Sequence, residues 1–146
     1  MALSTTEVAM AHQAPFRWTP VPRDAEPRSF PGVPAAARAA LSGPAVYRWR
    51  VEPSCDPAMF WLGETGSLDR TLEEIAYGTT ARGVTWRRRL EEERALGATV
   101  RLEVLAAAGP EVASPEGRRR LLAEVAGGMR RTGAVVELLE GDEHGA

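Results

Sequence analysis

The chain has 146 residues, 44% of them hydrophobic, a size that buries one core and leaves no room for a second full domain. Its formal net charge of −2 and pI near 5.8 exclude binding of nucleic acid by bulk electrostatics and leave that task to a local basic face. All 18 basic residues are arginine, lysine and asparagine are absent, and Ile75 is the sole isoleucine; this is the bias of a GC-rich genome, so arginine abundance by itself carries little functional weight.

The first residues lack a basic start followed by an apolar run, and no later stretch reaches the length of a bilayer span. The expectation is a cytoplasmic bacterial protein without a membrane partner. Cys55 is alone and cannot form an internal disulfide. His12 and His144 lie in the tails, which removes a Ser/His or Cys/His nucleophilic centre from the domain. No zinc-ligand set, phosphate loop or dinucleotide fingerprint occurs.

Composition divides the chain into a proline-rich arm (1–43), a domain (44–140) and a polar tail (141–146). Seven of the eleven prolines fall in the first 44 residues, a density that excludes regular helix and central strand. Phe16, Trp18 and Phe30 lie between them, and such groups gain by burial, so the arm is expected to lie extended across the domain with at least two of the three buried. Pro34 to Leu41 predicts a short alanine-rich helix ending at Ser42-Gly43.

In the domain, Val46, Arg48 and Arg50 alternate with Tyr47, Trp49 and Val51, predicting a first strand. Pro53 to Pro57 is a turn and Met59 to Leu62 the returning strand. Ser67 is a good N-cap for a helix whose Leu68, Leu72, Ile75 and Ala76 share a face. Val84 to Leu96 predicts a second helix stopped by Gly97, and Thr99 to Leu105 a third strand with one wet face. Ser114-Pro115-Glu116 caps a final helix through Arg131, and Val135 to Leu139 predicts a short fourth strand.

Pro44-Ala-Val-Tyr-Arg-Trp-Arg-Val51 followed by Phe60-Trp-Leu-Gly-Glu-Thr-Gly-Ser-Leu-Asp-Arg70 resembles the opening of the GIY-YIG nuclease family. Ala45-Val46-Tyr47 stands at the family's first triplet, Trp61-Leu62-Gly63 at the second, and Leu68 lies five residues after Gly63, as in the family pattern. The resemblance covers about two thirds of the chain. It implies an α+β fold, a small antiparallel sheet of three to four strands flanked by helices in the order β-β-α-α-β-α, which agrees with the periodic reading.

The resemblance also implies a DNA endonuclease that uses one divalent ion, Mg²⁺ or Mn²⁺. In that family a tyrosine helps activate water, an arginine steadies the scissile phosphate and a glutamate on a later helix holds the metal. Residue by residue, Tyr47 matches the first tyrosine, and its alternative is a core aromatic. Trp61 replaces the second tyrosine, and an indole can donate one hydrogen bond but has no hydroxyl to shuttle a proton. Gly63 matches as a structural turn. The family's arginine falls on Thr71; Arg70 is one residue short, and its side chain points about 200° from Leu68, toward solvent. Glu124 and Glu116 are the candidates for the metal-binding glutamate; Glu116 also sits where a negative charge favours the helix dipole.

Two arginine runs remain. Arg87-Arg88-Arg89 has Glu91, Glu92 and Glu93 three to four residues on, the pairing of a solvated helix. Arg118, Arg119 and Arg120 are less neutralised and are the better nucleic-acid contacts. A non-catalytic binding or interaction module that keeps the fold is the alternative to a nuclease, favoured by Thr71 and Trp61.

Overall fold

The structure, a computed structural model, describes residues 16–21, 42–106 and 109–139. Period-two alternation sets up the centre of the sheet. β2 (Ala45–Glu52) and β3 (Met59–Thr65) pair antiparallel, with Tyr47 opposite Gly63 and Trp49 opposite Trp61. β4 (Thr99–Ala106) pairs antiparallel with the other edge of β2, with Tyr47 opposite Val104. β1 (Arg17–Pro20) adds to β4, and β5 (Val135–Leu138) adds to β3, in the order β1-β4-β2-β3-β5.

The sheet therefore has five strands and is mostly antiparallel, which corrects the expected three- to four-stranded antiparallel sheet; β1 precedes and β5 follows the elements expected in the order β-β-α-α-β-α. Two physical reasons account for the difference. Proline removes a strand donor, but an edge strand needs only one row of bonds, so the proline-rich arm can still supply β1, which ends at Pro20. β5 runs parallel to β3, because the chain returns to this edge through a helical crossover.

Helix ends follow their caps. α1 (Leu68–Tyr77) starts where the Ser67 side chain accepts from the Arg70 N–H and ends at Gly78, which is left-handed with φ 61°. α2 (Ala81–Ala95) begins three residues before the predicted Val84, because Thr80 caps it by accepting from the Gly83 N–H at 3.0 Å. α3 (Pro115–Arg131) starts as expected, with Ser114 accepting from the Gly117 N–H at 3.0 Å and Pro115 in the first turn. A 3-10 turn, Gly109–Ala113, precedes it.

Strand alternation gives the sheet two buried faces. On one, Tyr47, Trp49, Val51, Trp61, Val100 and Leu102 pack with Leu68, Leu72 and Ile75 of α1 and Leu90 of α2. On the other, Val46, Leu62 and Leu105 pack with Leu121, Leu122, Val125 and Ala126 of α3. Phe16 and Trp18 pack against this second cluster but are only half-buried, short of the burial expected of two of the three arm aromatics. Phe30, the helix expected over 34–41 and the polar tail lie outside the described residues. Among the described residues, no helix is long and apolar enough to cross a membrane.

Candidate functional site

The residues matched to the family's two triplets are sealed. Tyr47 is 1% exposed and Trp61 3%, both on the α1/α2 face of the sheet. Gly63 lies directly opposite Tyr47, and a Cβ added there would sit 2.7 Å from both Cζ and Oη of the tyrosine. The phenol end of the tyrosine thus lies against the Gly63 backbone. The local requirement for glycine is this close approach, well inside the ordinary carbon contact of about 3.5 Å.

Thr71 stands where the resemblance calls for an arginine. Thr71 is 5% exposed, and its hydroxyl donates to Thr65 Oγ1 at 2.8 Å. The Thr65 hydroxyl in turn donates to the Ser67 carbonyl at 3.0 Å and accepts from the Ser67 N–H at 3.1 Å. The end of β3 and the first turn of α1 are therefore held together by their own hydroxyls, and Gly63 lies within the strand rather than in a turn, which corrects its expected role. Arg70 is exposed, one residue round the helix, as its 100° offset predicts.

The carboxylate candidates stand elsewhere. Glu116 and Glu124 are both exposed on α3, which packs on the opposite face of the sheet from Tyr47. They are eight residues apart, roughly 12 Å along the helix axis, so one ion can touch at most one of them. Among the described residues, no three His, Cys, Asp or Glu side chains converge on a point that could hold a metal. A divalent ion on either glutamate would have the helix and the sheet between it and Tyr47. These donors do not fit a centre shared with the tyrosine.

The arginine runs divide side chain by side chain. Arg118 is 3% exposed: its Nε donates to Glu64 Oε2 at 2.6 Å and its Nη1 to the Val112 carbonyl at 2.9 Å, tying α3 and the 3-10 turn to β3. Arg119 and Arg120 point to solvent. In the first run, Arg87 bonds Glu91 at 3.0 Å, the expected i,i+4 pair, and also donates to the Ala76 carbonyl at the end of α1. Arg89 takes a long-range role: its guanidinium carbon lies 4.4 Å from the Trp61 ring centre and 4.7 Å from that of Trp86, while both Nη atoms donate to the Glu137 carboxylate of β5.

A second group emerges that sequence reasoning missed. Arg48 on β2 has its guanidinium carbon 4.2 Å from the Trp18 ring centre and 4.6 Å from that of Phe60, and its Nε donates to Glu103 Oε1 at 2.8 Å. Burial pulls its pKa below the usual arginine value, with Glu103 acting against that shift. The available signal was the alternation itself: Arg48 and Glu64 occupy the same strand face as Val46 and Leu62, and a charge on a buried face needs a partner. The partners, 55 and 54 residues away, are beyond any local pattern. Compared with protein-family models, with curated proteins and with solved structures, the chain matches none of them.

Proposed function

We propose that this chain is a non-catalytic interaction module built on a GIY-YIG-like fold, rather than a working endonuclease. The observation that carries the reading is Thr71, buried and bonded to Thr65 at the position where the resemblance calls for a phosphate-binding arginine. Phosphodiester hydrolysis needs preorganised positive charge at the transferring phosphate, a contribution of several kcal/mol in a water-excluded site. Arg70 faces solvent, Tyr47 is sealed against Gly63, and Glu116 and Glu124 lie beyond the opposite face of the sheet. What supports the reading is that these groups do not meet at one surface a phosphate can reach.

The test is a plasmid-nicking assay on purified protein with Mg²⁺ and with Mn²⁺. The expected result is no cleavage above a metal-only control, unchanged by Tyr47→Phe. Robust metal-dependent cleavage that is abolished by Tyr47→Phe and by Arg70→Ala would overturn the proposal and restore the DNA endonuclease reading, with Glu124 or Glu116 on the metal.

A further inference from the structure

The sheet face that carries α3 is not fully covered by it. α3 lies over β2, β3 and β5, and the exposed Arg101 of β4 and Pro20 of β1 mark what it leaves open among the described residues. Across this opening Trp18, Arg48, Phe60 and Arg50 stack in alternation, the Arg50 guanidinium carbon lying 5.9 Å from the Phe60 ring centre. Arg50 is flanked in register by Phe60 on one side and by Arg101 on the other. Like charges directly opposite on an antiparallel pair destabilise it, so this arrangement favours an external anion.

The charge balance points the same way. Arg48 is held by Glu103, and Arg50 by Glu52 at 2.8 Å with both side chains 40% exposed. Arg101 has no carboxylate within ion-pair distance among the described residues. Arg130, exposed near the end of α3, donates among the described residues only to the carbonyl of Val136, the residue opposite Phe60 on β5. Among the described residues, four arginines thus face two carboxylates, in a chain whose overall charge is −2.

We propose that this strip binds single-stranded nucleic acid, with Arg50, Arg101 and Arg130 on phosphates and a base extending the stack of aromatic and guanidinium planes. The inference deepens the reading of the chain as an interaction module and rests on it. An acidic peptide would satisfy the arginines but leave the stacked planes unused, and a duplex hides the faces of its bases; a single strand presents both phosphate and π-face.

The test is fluorescence anisotropy of a labelled oligothymidylate of about 12 nucleotides titrated with the full chain without divalent ions, over a range of salt. Saturable binding is expected, with the affinity falling as salt rises. Arg101→Ala should weaken binding roughly tenfold and reduce the slope of log affinity against log salt by about 0.7, the signature of one lost phosphate contact to a single strand. Phe60→Leu, which keeps an apolar side chain but no ring face, should weaken binding roughly tenfold and leave the slope unchanged. Arg88→Ala, an exposed change on α2, should alter neither.

Absence of saturable binding overturns the proposal. So does an Arg101→Ala variant that binds normally while Arg119→Ala or Arg120→Ala weakens binding, which would put the contact on the outer face of α3. Equal affinity for polyglutamate overturns it in favour of an acidic protein partner. Cleavage of the bound oligonucleotide on adding Mg²⁺ would defeat the non-catalytic reading while leaving the binding strip standing, so the two failures are distinguishable.

Discussion

Gly63→Ala is the sharpest test of how Tyr47 is held. Gly63 has an ordinary strand conformation, so alanine is allowed by the backbone and the obstacle is space alone. The new Cβ would lie 2.7 Å from Tyr47 Cζ and Oη and 3.2 Å from Leu139 Cδ1, so the ring must retreat by about 0.8 Å to reach normal contact. A side chain that is 1% exposed between two neighbouring strands has little freedom to do so. Overpacking of this kind costs about 1–3 kcal/mol, offset by about 0.5–1 kcal/mol because glycine is itself unfavourable in a strand. The net expectation is a loss of between about 0 and 2.5 kcal/mol, or a Tm lower by up to roughly 20 °C at about 4–8 °C per kcal/mol.

Circular dichroism during thermal and urea unfolding measures that loss. The decisive arm is a double-mutant cycle with Tyr47→Leu, whose side chain stops short of Cζ. In that background Gly63→Ala should be neutral or stabilising, giving a coupling of about 1–3 kcal/mol. An equal loss in both backgrounds, or a stabilised Gly63→Ala single variant, would show that the tyrosine does not lie on the Gly63 backbone and would refute this packing.

Two other perturbations probe the long-range contacts. Arg118→Met should cost about 3–5 kcal/mol by leaving the Glu64 carboxylate buried without its partner, and Arg118→Met with Glu64→Leu should recover most of that loss; chemical denaturation of the single and double variants checks it. Arg89→Ala should cost no more than about 2 kcal/mol, because Arg89 and Glu137 are 33% and 51% exposed and solvent screens their pairing, yet it should change tryptophan emission by removing the cation stacked on Trp61 and Trp86.

What the sequence determined by itself is whatever depends on near neighbours. Alternation in Ala45–Glu52 and Thr99–Ala106, the Ser67 and Ser114 caps, Pro115 at a helix start and the outward turn of Arg70 all act within about one turn or a few strand residues, and each was legible. Tertiary structure alone decided the pairings that span the chain. The edge strand in a proline-rich arm, the parallel return of β5 to β3, and the partnerships of Arg118 with Glu64 and Arg48 with Glu103 join residues tens of positions apart.

The candidate site divides along the same line. Resemblance named Tyr47, Trp61, Glu116 and Glu124, but which side of the sheet each occupies depends on strand register and on which face each helix covers. A shift of one residue in register would exchange those faces, and only the packing of the two apolar clusters chooses between them. The same holds within Arg118-Arg119-Arg120: helical geometry spreads three consecutive side chains over about 200°, but only the buried carboxylate of Glu64 makes Arg118 the one that turns inward.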